Sequence, residues 1–156
     1  MRRTIVAGAA LFLACRPQSA RPADGTQAVA DTLRGTLVLE GSDPFPIAAM
    51  HTSAGRVILE GAPAAMLKLS QLNLWVRGTR TSDTRFRVSD YRVREANGAR
   101  AWDGVLRAAA AGFSLELSDG SAHAISGAPS SFGQLVGSRV WLTENVDGSV
   151  REYGVL

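Results

Sequence analysis

Few side chains in this sequence can do chemistry, and their spacing narrows what that chemistry is. There are two histidines, His51 and His123, and one cysteine, Cys15. A protein metal site gathers His, Cys and carboxylate ligands at short, characteristic spacings. Neither histidine has such a partner, so no metal is expected. No nucleophile-elbow, phosphate-loop or glycine-rich dinucleotide pattern occurs. The acids are scattered singly over strand and turn positions, so no catalytic residue, no cofactor and no enzymatic activity is expected. The sequence does offer aromatic–cation pairs. Trp75 is followed by Arg77, and Trp141 is preceded by Arg139. Trp beside Arg is the composition of interface anchors, which makes these four the candidate partner-binding residues. Arg77, Arg80, Arg85, Arg87, Arg92 and Arg94 form a local arginine cluster interleaved with Asp83, Asp90 and Glu95. Arg85 and Arg87 alternate with Phe86 and Val88, which reads as the solvated face of a strand hairpin. The competing reading is a patch for anionic lipid head groups or an acidic partner.

The chain has 156 residues, with 46% hydrophobic and 20% charged residues, 16 Gly and 6 Pro. That suits a turn-rich all-β protein of one ordinary or two very small domains. The formal charge is +3. Without Arg2 and Arg3 it falls to about +1, too little to imply a polyanion partner. Those two arginines open a short positive segment, followed by an apolar run from Thr4 to Ala14. A spanning helix needs roughly 20 such residues, so this run has the length of a signal-peptide core. Cys15 follows at once. Positive start, apolar run and Leu11-Phe-Leu-Ala-Cys15 together resemble the bacterial lipoprotein signal with its lipobox. The resemblance implies cleavage before Cys15, a diacylglycerol on its thiol, and attachment to a membrane through that lipid. Phe12 stands where Leu is usual, and Leu13 is bulkier than the commonest residue. Arg16, rather than Asp, after the cysteine implies the outer membrane of a Gram-negative envelope, facing periplasm or exterior. Residues 15–33 are small and polar with two prolines, as in a flexible tether. The expected division is signal peptide 1–14, tether 15–33, first repeat 34–97 and second repeat 98–156.

The repeat rests on recurring residues. Gly61-Ala-Pro63, Leu69 and Trp75 recur as Gly127-Ala-Pro129, Leu135 and Trp141 at an offset of 66. Val88, Tyr91 and Val93 recur as Val150, Tyr153 and Val155 at an offset of 62. Offsets that change only in turns, with the order of apolar positions kept, indicate duplication. Each copy reads as five strands and one short helix. The first has strands at 35–40, 47–52, 56–60, 72–77 and 85–94; the second at 101–108, 113–118, 122–126, 139–143 and 149–155. Ser53-Ala-Gly55 and Asp119-Gly120 read as hairpin turns, the latter of type I′. Pro63 and Pro129 are expected to open the helices. In each fifth strand the apolar parity switches, near Ser89-Asp90 and near Arg151-Glu152. One extra residue restores a common inward face, so a β-bulge is expected at both places.

Three strands, a short helix and two more strands in each copy resemble the OB-fold, a small five-stranded barrel. An SH3-like barrel is the alternative. The fold expected is therefore all-β: two tandem OB-like barrels, each with one helix between its third and fourth strands. OB-folds often bind nucleic acid on strands 2 and 3, using aromatic platforms. Here the outward residues are Ala49, His51, Ser114, Glu116 and Ser118, none aromatic, so no nucleic-acid partner is expected. Trp75 and Trp141 should face away from their own barrels, to be covered by the other copy or the tether, or to form a partner or ligand site. Trp102 falls at the junction between copies. The function expected is a lipid-anchored, non-enzymatic interaction module with an envelope protein as partner. The alternative is a small-ligand or glycan-binding module using the cleft between the copies.

Overall fold

A computed structural model describes residues 30–42 and 44–156. The expected signal peptide, Cys15 and the tether up to residue 29 lie outside the described residues. The order is β1 (Asp31–Glu40), β2 (Ile47–Thr52), β3 (Gly55–Glu60), α1 (Ala64–Leu67), β4 (Asn73–Ser82), β5 (Arg85–Ala96), β6 (Ala99–Ala109), β7 (Gly112–Leu117), β8 (Ala122–Ile125), α2 (Phe132–Leu135), β9 (Arg139–Glu144) and β10 (Val150–Val155). The protein is all-β, its ten strands joined in one hydrogen-bonded sheet. Among the described residues no helix is long and apolar enough to cross a membrane.

In the first half, β1 pairs with β2 and β4, β2 with β3, and β4 with β5. A parallel pairing of β3 with β5 returns the series to its start. In the second half, β6 pairs with β7 and β9, β7 with β8, and β9 with β10. There β8 and β10 are linked only by a parallel bridge between Ser126 and Ser149, just beyond their ends. Registers correspond as well. Leu37–Met50 and Met50–Val57 are cross-strand partners, as are Leu106–Leu115 and Leu115–His123. Gly35 and Gly104 hold matching places. A Cβ on Gly35 would lie 2.2 Å from the His51 carbonyl oxygen, and one on Gly104 would lie 2.5 Å from that of Glu116. Both strands bend too tightly there for any side chain.

Alternation places one apolar row inside each half. Leu37, Met50, Leu74, Val76, Phe86 and Met66 of α1 are fully buried in one cluster. Leu106, Leu115, Val140, Leu142 and Phe132 of α2 are fully buried in another. A fully buried side chain of this kind contributes about 1.5–3 kcal/mol, so the two rows are the main stabilising element of the fold. Pro63 caps α1, its carbonyl accepting from Met66 N–H, whereas Pro129 lies before Ser131, the cap of α2, its carbonyl accepting from Phe132 N–H in the turn that leads into the helix. Both bulges fall where the parity switch predicts them. The register skips Ser89 between the Arg77–Asp90 and Gly78–Val88 pairs, and Arg151 between the Val150 and Glu152 pairs.

Two expectations are corrected. β1 begins at Asp31, so residues 31–33, read as the end of the tether, pair with Gly78, Arg77 and Val76 of β4. Leu33 is buried in the core there, which explains why these residues are ordered as strand. The type I′ turn is not at Asp119-Gly120, where only Gly120 has a positive φ. It is at Asn97-Gly98, with φ of 50° and 75°, joining the paired ends of β5 and β6. Asn-Gly is the strongest two-residue hairpin signal, and here it makes a tight turn at the boundary expected between the repeats.

Candidate binding groove

The two Trp–Arg pairs sit at corresponding places on β4 and β9 and meet different fates. Trp75 is half-buried and Arg77 exposed. Trp75 is paired laterally with Arg34 and Arg92, and the Arg92 guanidinium lies 5.2 Å from its ring centre. Trp141 is 7% exposed and belongs to the core cluster of the first half. The difference lies in the residue opposite. Arg92 faces Trp75, whereas Gly154 faces Trp141. A Cβ on Gly154 would sit 2.5 Å from the indole nitrogen, so glycine alone lets the ring lie flat across β10.

Arg139 is also taken up by the contact between the halves. Its Nε donates to Asp103 Oδ1 at 2.9 Å and its Nη2 to Asp103 Oδ2 at 3.0 Å. Nη2 also donates to the Tyr91 carbonyl, and the guanidinium lies 4.8 Å above the Tyr91 ring. Asp103 accepts a further bond from Val93 N–H at 2.8 Å. Burial acts against the Arg139 charge, but the Asp103 hydrogen bond and charge outweigh it and raise its pKa. Burial, opposed by Arg139, raises that of Tyr91. Thr143, next on the same face, is fully buried with its hydroxyl unpartnered. Of the four predicted partner-binding residues, Trp75 and Arg77 remain on an accessible face, and Arg139 keeps a partly exposed edge. Trp141 is covered by the other half, and Arg139 is held by Asp103 of its own half and the Tyr91 carbonyl of the other.

The arginine cluster is dispersed in space. Arg85 and Arg87 share Glu60 at 3.1 and 3.9 Å, Arg80 meets Asp31 at 3.4 Å, and Arg92 meets Asp90 at 3.7 Å. Arg77 and Arg94 enter no ion pair among the described residues. His51 is exposed, 3.6 Å from Glu40. Glu40 is held below its ordinary pKa chiefly by the hydrogen bond from Arg56.

One assembly escaped the reading of the sequence. Trp102 and His123 stack at 3.9 Å and 17°, and both bond Glu144. The indole N–H donates to Oε2 at 2.9 Å, and His123 Nε2 lies 2.8 Å from Oε1. Trp102 is opposite Leu142 and His123 opposite Leu115, both fully buried. Cross-strand partners share a face, so this trio points into the second half. The same register positions in the first half hold Leu33, Val57 and Gly78. There Phe86 fills the space over Gly78, where a Cβ would be 2.7 Å from its ring. In the second half Gly148, just before the Ser149 bridge, stands where Phe86 stands before Arg87. A polar trio thus closes an end that lacks its aromatic plug. Trp102, assigned from the sequence to the junction, packs against the second core. Among the described residues no three His, Cys, Asp or Glu side chains converge as metal ligands.

Between the halves runs a groove. One cavity of about 370 Å³ is lined by Asp90, Asp103, Glu116 and Arg139 among others. The next, about 340 Å³, shares Arg92, Asp103, Leu117 and Ser118 with it and adds Arg94, Arg100, Trp102, Asp119 and Ser121. The carboxylates here are mostly engaged. Asp103 holds Arg139, and Glu116 holds Arg107 at 2.6 Å. Asp119 accepts from the hydroxyl of Ser121 at 2.6 Å and its N–H at 2.9 Å, which lower its pKa. Arg100 has no ion pair among the described residues, and its guanidinium lies 4.2 Å over Trp102. Arg100 and Trp102 are two apart on β6, so strand alternation could have placed them on one face. Arg94 joins them across the Asn97-Gly98 hairpin, and Ser118 from the turn after β7, a meeting that local pattern did not reveal. Comparison with protein-family models, curated proteins and solved structures gives no match.

Proposed function

We propose that this chain is a lipid-anchored, non-enzymatic binding module of the cell envelope, built from two OB-like barrels, whose ligand site is the groove between them. The barrel reading is supported by the strand order 1-2-3-5-4-1 of the first half, its parallel closure, and a helix between strands 3 and 4 in each half. The anchor rests on the lipobox resemblance at Cys15, with localisation at the outer membrane resting on Arg16. The observation that carries the groove is its lining: arginines without ion-pair partners among the described residues beside an aromatic ring, on walls joined by the bonds of Asp103 to Val93 N–H and of Arg139 to the Tyr91 carbonyl. Concave sites with a few convergent polar groups are where small ligands bind.

A second reading, docking of an envelope protein, is favoured by the half-buried Trp75 between Arg34 and Arg92 on an outward face. The test is a thermal-shift panel of neutral sugars, sugar acids, phosphate and nucleotides on the full-length chain in detergent. Binding to the folded state raises the midpoint as concentration rises. A concentration-dependent rise with at least one small molecule is expected. A silent panel, with photo-crosslinking from position 77 to an envelope protein, would move the function to the Trp75 face.

A further inference from the structure

The end of the groove at Arg100 has a feature that ordinary surface arginines lack. An exposed arginine side chain loses rotamer freedom when it is fixed against a ligand, which weakens binding. Here the guanidinium already lies on the Trp102 ring. The ring is itself held by stacking on His123 and by its bond to Glu144. His123 stacks on the indole at 3.9 Å, and the Arg100 guanidinium lies 4.2 Å from the ring centre. Cation–π contact orients the arginine without consuming its N–H donors. Arg94 lines the same cavity, also without an ion pair among the described residues. Ser118, exposed on the facing turn, adds a hydroxyl.

Two carboxylates stand near these arginines: Asp119, which is bonded to Ser121 and feels the Arg92 charge, and Glu95, which is opposite Arg100 across the β5–β6 pairing but outside the cavity lining. The unused donors are therefore cationic forks and a hydroxyl facing a concave space. Guanidinium forks match the paired oxygens of a carboxylate or phosphate. A cavity of about 340 Å³ is at the small end of the range for ligand pockets, which suits a monosaccharide-sized molecule.

Resting on the groove reading above, we propose that this end of the groove is a receptor for a small anionic ligand bearing a carboxylate or phosphate. Arg100 and Arg94 hold the anion and Ser118 donates to it.

The test is titration calorimetry of the full-length chain in detergent at low ionic strength, using glucuronate, glucose and inorganic phosphate as probes. Glucuronate, phosphate or both should bind while glucose does not, and which of them binds identifies the anion. Arg100→Gln should weaken that binding tenfold or more, and Arg94→Gln severalfold, with melting curves showing each variant folded. Arg77→Gln, outside the groove, should bind as the parent does. Glucose binding as well as glucuronate, with the arginine variants unaffected, would overturn the anion assignment while leaving the groove a ligand site. No binding by any of the three probes, together with a silent thermal-shift panel, would overturn both.

Discussion

At the level of single residues, Arg139 and Asp103 show how two charged side chains become internal structure. Asp103 is 4% exposed at its side chain and Arg139 32%. The carboxylate accepts from the guanidinium and from Val93 N–H, so it ties β9 and β6 to β5. Removing one partner from a mostly buried pair leaves an uncompensated charge, which costs more than losing an exposed pair. Asp103→Asn should therefore lower stability by about 2 kcal/mol, with the exposed edge of Arg139 keeping the loss below that of a fully buried pair. Urea denaturation followed by tryptophan fluorescence measures it. A midpoint equal to the parent's would mean that the pair is no more than a solvated contact.

At the level of elements, the two halves differ in closure. β3 and β5 are joined over three register positions, reinforced by Ile58 N–H donating to the Thr84 carbonyl at 2.8 Å. β8 and β10 share only the Ser126–Ser149 bridge. An edge without a ladder opens at lower free energy than a paired strand. In native-state hydrogen exchange, amides of β8 at Ala124 and Ile125 should exchange at least tenfold faster than Ile58 and Leu59 of β3. Equal protection would show that the polar trio closes the second half as firmly as Phe86 closes the first. The bulges at Ser89 and Arg151 were legible beforehand, because a bulge is the only local device that keeps a strand's apolar residues inward across a parity switch. The start of β1 was not, since residues 31–33 resemble the polar tether in composition and are ordered by pairing with β4.

At the level of the whole molecule, the proposed anchor is tested by Cys15→Ala. Radiolabelled palmitate should be lost from the chain, and the uncleaved precursor should accumulate; undiminished labelling would rule the anchor out. The covered Trp141 bears on the same scale. It inserts a second-half side chain into the first-half core, so an interface that would otherwise need a partner is satisfied within the chain. By itself the sequence determined the all-β class, nearly all of the strands, both short helices and the inward rows. These follow from alternation, turn chemistry and parity, which act over a few residues. It also determined that Trp75 and Trp141 face away from their own halves. Only the tertiary structure decided what covers them, because that depends on Arg92 or Gly154 across a strand pairing. The same holds for the groove. Arg94 and Arg100 flank the Asn97-Gly98 hairpin, a local signal, but Ser118 joins their cavity from the turn after β7, and no local pattern encodes that meeting.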